Sequence, residues 1–143
     1  MNRLAIIVTG DRHATEDRWF WVVEKKIVDA MDDVGYTVLI HGCAPGIDGM
    51  AGQIGEGLCD AVIPMPAPWE TMERQGHNRN AAGPHRNVQM VNVLKALREV
   101  GYEVRVLAFH DDLAGSKGTR HCVNYARSAL IPVTVYGSDG GEQ

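Results

Sequence analysis

What most constrains this chain is a repeated hand-over: a short run of branched apolar residues, a glycine-containing turn, then apolar residues at helical spacing. Leu4-Ala5-Ile6-Ile7-Val8 is a continuous apolar run closed by Thr9-Gly10, the pattern of a strand buried on both faces. Thr15 can cap a helix whose first turn carries Glu16 and Asp17; Trp19, Val22, Val23, Ile27, Ala30, Met31 and Val34 then recur at helical spacing until Gly35 stops it. Thr37-Val38-Leu39-Ile40-His41 predicts a second strand, followed by a glycine-rich turn and a short helix over about 47–56. Ala61-Val62-Ile63-Pro64-Met65 is a third, weaker strand. Pro84 suits the first turn of a helix carrying Val88, Val91, Leu94, Ala96 and Leu97 and ended by Gly101. Val104-Arg105-Val106-Leu107-Ala108-Phe109 is the next strand, and a helix over about 119–129 leads to the last, Pro132-Val133-Thr134-Val135-Tyr136.

This alternation, joined by right-handed crossovers, predicts an α/β fold: a Rossmann-like three-layer sandwich with a central, mostly parallel sheet of about five strands. A length of 143 residues suits one domain, expected over 1–136, with a flexible Gly/Ser/Asp tail over 137–143. In such sheets the ligand crevice lies beyond the carboxyl ends of the strands, where the strand order reverses. The loops at 9–15, 41–49 and 110–119 therefore face one common site. The connection over 66–83, rich in Pro, Gly, Asn, Arg and Trp, is too long for an idle link in a compact domain.

Composition narrows the function. Fourteen Lys and Arg against 18 Asp and Glu leave a formal net charge of −4, which argues against a surface built for nucleic acid or anionic membrane. Cys43, Cys59 and Cys122 are an odd number without a CxxC pair, which suits free thiols in a reducing compartment. No apolar run reaches the roughly 18–20 residues needed to span a bilayer, and Met1-Asn2-Arg3 runs straight into a strand rather than a signal peptide, so a cytoplasmic protein is expected. Glycine, 16 of 143 residues, exceeds the typical ~7% and clusters where strands hand over to helices.

Five segments carry candidate chemistry. Thr9-Gly10-Asp11-Arg12-His13 offers a glycine for close backbone approach and, in Arg12, either a phosphate clamp or an ordinary surface arginine. His41-Gly42-Cys43-Ala44-Pro45-Gly46-Ile47-Asp48-Gly49 places Asp48 at a helix start, as a plain N-cap or as a catalytic or ligand-binding carboxylate. His41 and Cys43 stand two apart, but no third or fourth ligand follows at diagnostic spacing, so no metal is expected. Gly115-Ser116-Lys117-Gly118-Thr119 follows a strand and opens a helix, where unpaired amides and the helix dipole attract an anion. It is not a P-loop, which needs GxxxxGKS/T, and no GxGxxG follows a strand, so no resident cofactor is expected. Ala82-Gly83-Pro84-His85-Arg86-Asn87 sets Arg86 and Asn87 in a helix's first turn, where an arginine opposes the dipole unless an anion lies between. Trp69, in Pro66-Ala67-Pro68-Trp69-Glu70, either stacks on a base or anchors the loop.

Val8-Thr9-Gly10-Asp11-Arg12, Leu39 to Asp48, Pro66-Ala67-Pro68-Trp69-Glu70, Ala82 to Asn87, and Leu107-Ala108-Phe109 with Gly115 to Thr119 together resemble the YspA-like branch of the SLOG superfamily. The resemblance spans residues 4 to about 136 and implies a Rossmann-like fold that binds nucleotides or nucleotide-derived ligands. It also implies kinship with the LOG phosphoribohydrolases and DNA-processing protein A. Arg86-Asn87-Val88-Gln89-Met90 aligns with the RKxxM stretch of the LOG enzymes, whereas their PGGxGTxxE is matched only at Gly118-Thr119, with Cys122 in place of the glutamate. A buried thiol neither stabilises a cationic sugar nor activates water as a carboxylate does.

The expectation is a protein that binds a nucleotide or nucleotide-derived small molecule as sensor, carrier or sequestering protein. Glycine-turn amides at Gly10, Gly42, Gly46, Gly115 and Gly118, with Arg12, Arg86 and Thr119, hold phosphate; Asp48 and Trp69 address sugar and base, and Thr9, Asn87, Ser116 and Lys117 complete the expected ligand-binding set. The alternative is an N-glycosidase or phosphoribohydrolase on a nucleoside monophosphate or ADP-ribose-type compound, with Arg86 and Asp48 as catalytic candidates and Asp111 or Asp112 as other substitutes for the lost glutamate. A DNA-associated module, by analogy with DNA-processing protein A, conflicts with the net charge. Homo-oligomers, dimers or higher, are expected to form through helices.

Overall fold

In a computed structural model describing residues 2–143, the first apolar run becomes the axis of the molecule. β1 (Arg3–Gly10) is buried from Leu4 to Thr9, since it has a strand on either side and helices on both faces. It pairs in parallel with β2 (Tyr36–His41) through Arg3↔Tyr36 to Ile7↔Ile40 and with β4 (Glu103–Phe109) through Leu4↔Glu103 to Gly10↔Phe109. β3 (Ala61–Pro64) and β5 (Val133–Tyr136) complete an all-parallel sheet of five strands in the order β3-β2-β1-β4-β5. The order reverses between β1 and β4, which places the crevice of such a fold above Gly10 and Phe109. Met1, counted in the domain expected over 1–136, lies outside the described residues.

Alternation along the strands sorts side chains to two cores. Leu4, Ile6, Val8, Leu39, Leu107 and Phe109 meet Trp19, Val23 and Ile27 of α1 (Asp17–Ala30) and Ile47, Ala51 and Ile54 of α2 (Ile47–Leu58). On the opposite face Ala5, Ile7, Val38, Ile40, Val104 and Val106 meet Met90, Val91 and Leu94 of α4 (Ala82–Glu99) and Cys122 and Ala126 of α5 (Gly118–Ser128). Each fully buried Leu, Ile or Val contributes about 1.5–3 kcal/mol, so the sheet is the rigid platform on which the carboxyl-end loops stand. Among the described residues no helix is long and apolar enough to cross a membrane.

Several local expectations are corrected. Glu16, not Thr15, is the N-cap of α1, and it caps without its side chain. The helix ends at Ala30 because Asp33 turns left-handed at φ +59, while Met31 and Val34 pack on the core from a turn. The connection over 66–83 contains a short helix, α3 (Trp69–Arg74), and a 3-10 turn, Arg79–Ala81, capped by Asn78 Oδ1 accepting from Asn80 N at 2.9 Å. The tail is not loose: Ser138 N donates to Asp111 Oδ1 at 2.7 Å, and Gly140 at φ +83 reverses the chain. Gln143 N then donates to Val135 O at 2.8 Å, beside an antiparallel bridge between Tyr136 and Glu142.

Candidate functional site

The turn after β1 is tied to the neighbouring strand and helix. Asp11 N donates to Phe109 O at 2.9 Å, and Asp11 O accepts from Ile47 N at 3.2 Å. Both approaches depend on glycine. A Cβ on Gly10 would lie 2.7 Å from Ile47 Cγ1, and one on Gly46, already at φ +76, would lie 2.8 Å from the Arg12 carbonyl carbon. Thr9 is buried just below this turn, and Arg12 is exposed on it.

Asp48, 3% exposed, closes the turn after β2 by accepting from Gly42 N at 3.0 Å and Ala44 N at 3.3 Å, both through Oδ2. It therefore serves the turn ahead of α2 rather than acting as a plain N-cap, a position held by Gly46 without a side-chain bond. Burial pushes its carboxyl up to about 6, opposed by the Ala44 amide, the Arg86 guanidinium and the Gly42 amide. Among the described residues no donor reaches Oδ1 and no buried side-chain polar atom lacks a partner; Oδ1 therefore touches solvent. His41 Nδ1 accepts from Cys43 N at 3.1 Å, and burial, with Arg86 nearby, holds the imidazole below its usual range.

Arg86, in the first turns of α4, spans the rim. Its Nη1 donates to Gly42 O and its Nε to Asn87 Oδ1 at 3.0 Å. A Cβ on Gly42 would lie 2.5 Å from the guanidinium carbon, so a glycine here leaves room for the arginine beside the turn. Asn87, 2% exposed, donates from Nδ2 to Gly118 O at 3.2 Å and lies 3.3 Å from His121 Nδ1. One hydrogen-bonded chain thus runs from Asp48 through Gly42, Arg86 and Asn87 to Gly118, joining the starts of α2, α4 and α5.

The loop before α5 divides. Gly115 N is taken by Asp112 Oδ1 at 3.1 Å, Ser116 N by Leu113 O at 3.0 Å and Thr119 N by Ser116 Oγ at 3.1 Å. Those amides hold the loop's shape, and Thr119 is buried at the head of α5. Gly118 faces open space, with no atom within 4 Å of where its Cβ would be, and Lys117 is exposed beside it. Trp69, 38% exposed, comes within 3.9 Å of the Cβ position of Gly83, one turn before Arg86, and carries the Arg79 guanidinium 5.9 Å from its ring centroid. Cys122 is fully buried, and burial pushes its thiol up to about 12.

Gly10, Gly42, Gly46, Asp48, Arg86, Asn87 and Gly118 are thus brought to one rim, with Trp69 at its border. Gly115 and Ser116 are occupied within their own loop. His121 was not singled out by sequence; a lone helical histidine has no spacing signal, and only its position three residues after Gly118 hints at the rim. Among the described residues no three His, Cys, Asp or Glu side chains gather to hold a metal ion. A cavity of about 570 Å³ lies elsewhere, between α1 and the returning tail, lined by Trp21, Lys25, Lys26 and Ser138 among others.

No protein-family model matches the chain. It is similar to the Gene 61 protein of Mycobacterium phage D29, with 29% identity over 137 residues that cover 92% of this chain and 95% of that protein.

Proposed function

We propose that the chain binds a nucleotide or nucleotide-derived small molecule at the carboxyl rim of the sheet, as a sensor, carrier or sequestering protein. The observation that carries this reading is the hydrogen-bonded chain from Asp48 to Gly118. It anchors the Arg86 guanidinium by two nitrogens and leaves Nη2 for an anion, while Asp48 Oδ1 and the open face of Gly118 border the same rim. A solvent-facing carboxylate oxygen suits a sugar hydroxyl and repels phosphate, which assigns phosphate to the Arg86–Gly118 side. Each charge-assisted hydrogen bond contributes about 1.5–3 kcal/mol, so three or four suffice for micromolar affinity after the costs of ordering. The resemblance to YspA-like SLOG proteins supports the same ligand class. Pairing of copies through helix faces belongs to the proposal and is checked by sedimentation.

A second reading, hydrolysis of the N-glycosidic bond, draws on Asp48, whose carboxyl near 6 is poised for general acid or base work close to neutral pH. Against it stands Cys122, a neutral buried thiol where the LOG enzymes place a glutamate. Calorimetric titration with AMP and ADP-ribose, with chromatography for released base, separates the two. Micromolar binding without free base is expected; steady release of base would replace the binding reading by the enzymatic one. Arg86→Ala and Gly118→Val are expected to stay folded and lose binding, the first by removing the charge and the second by filling the open space. Unchanged titrations in both would refute the site.

A further inference from the structure

We propose that His121 is a ligand-facing donor of this rim, with its proton fixed on Nε2 by Asn87 and directed to a phosphoryl oxygen; this rests on the nucleotide reading above. The donor–acceptor logic is closed. Arg86 Nε–H can only donate, so the Asn87 atom 3.0 Å from it is the amide oxygen. Gly118 O can only accept, so the Asn87 atom 3.2 Å from it is the NH₂ nitrogen. That same nitrogen lies 3.3 Å from His121 Nδ1 and has only protons to offer. Nδ1 must therefore accept, which leaves the ring proton on Nε2.

Among the described residues Nε2 has no hydrogen-bond partner and no side-chain polar atom is both buried and unpartnered, so this N–H reaches the surface. Tyr125 lies nearly parallel to the imidazole, 6.4 Å between centroids at 10°. His121 is half-buried in the first turn of α5, beside Gly118, whose Cβ position is open, and the exposed Lys117. Asn87 is the positioning residue: one buried amide fixes both the Arg86 fork and the His121 tautomer, so the two donors are set against one anion together.

The test uses full-length ¹⁵N-labelled protein at a pH where imidazoles are neutral, with His121→Gln to assign the ring signals. Long-range ¹H–¹⁵N correlation is expected to show a protonated Nε2 and a bare Nδ1 for His121, and Asn87→Ala is expected to relax this toward a tautomer mixture. AMP should shift the Nε2 signal. His121→Phe should weaken AMP roughly tenfold, the worth of one such bond, and leave adenosine binding unchanged, with His121→Gln restoring part of the loss. A proton on Nδ1, or AMP binding to His121→Phe as tightly as to the parent, overturns the inference and leaves the nucleotide reading standing. Equal losses for AMP and adenosine overturn the phosphoryl assignment. Failure of AMP and ADP-ribose to bind the parent overturns the nucleotide reading and the ligand contact with it, whatever the tautomer.

Discussion

Replacing Asp48 by asparagine isolates the energetic cost of the buried carboxylate at the rim. The amide keeps the shape, and its oxygen can accept from Gly42 N and Ala44 N as Oδ2 does. The carboxyl titrates near 6 when folded against 3.8 unperturbed, a rise of about two units, or roughly 3 kcal/mol at about 1.4 kcal/mol per unit. A raised acid pKa means the native state holds the proton more tightly than the unfolded chain. This contribution to stability is therefore fully present below about pH 3.8 and is lost as pH rises through about 6. His41 pulls the other way: its lowered pKa favours the neutral ring, so its contribution is lost on acidification. The informative quantity is thus the difference between Asp48→Asn and parent, with His41 common to both. Urea midpoints followed by tryptophan fluorescence from pH 4 to 7.5 should show the variant gaining on the parent as pH rises, by up to about 3 kcal/mol. Its affinity for AMP should fall at the same time. A difference flat with pH, or one shrinking as pH rises, would refute the burial argument.

Three further outcomes are expected. Gly46→Val, at φ +76 and against the Arg12 backbone, should lower stability by about 1–3 kcal/mol, whereas Gly57→Ala in α2, where no atom approaches, should raise it by about 0.5 kcal/mol; equal melting temperatures would contradict the strain assigned to the turn. Trp69→Ala should weaken AMP about threefold to tenfold if the indole stacks on the base, and unchanged affinity would reduce it to a loop anchor. Iodoacetamide with peptide mass spectrometry should label exposed Cys43 first and leave Cys122, fully buried with its thiol pushed up to about 12, unlabelled until the protein unfolds. Early labelling of Cys122 would mean that the core beneath the rim opens.

The sheet was legible because burial on both faces writes itself as an apolar run: Leu4 to Val8 is unbroken, and Val104 to Phe109 is interrupted only by Arg105. Knowing that the strands were parallel was enough to gather Gly10, Gly42, Asp48 and Arg86 on one rim, since topology rather than local pattern decides which loops share an end. What failed to show was stabilised by contacts distant in sequence. The returning tail depends on Ser138 reaching Asp111, 27 positions away. α3 is six residues long, too short for a period to register. Gly115 and Ser116 look like ligand residues because a loop that satisfies its own amides uses the same residue types as one that cradles an anion. Asn87 was singled out for a ligand, yet its role as the hub between Arg86 and His121 is visible only once α4 and α5 lie side by side.

The fold-back of residues 137–143 also settles how this sheet treats its borders. Gln143 and Glu142 lie along the outer side of β5, and Pro64 ends β3, the strand at the other border, with a residue that has no N–H to offer. Unpaired edges invite strand addition from other chains, and here one is shielded and the other shortened. Both border strands are also only four residues long, so each offers another chain a short template for pairing.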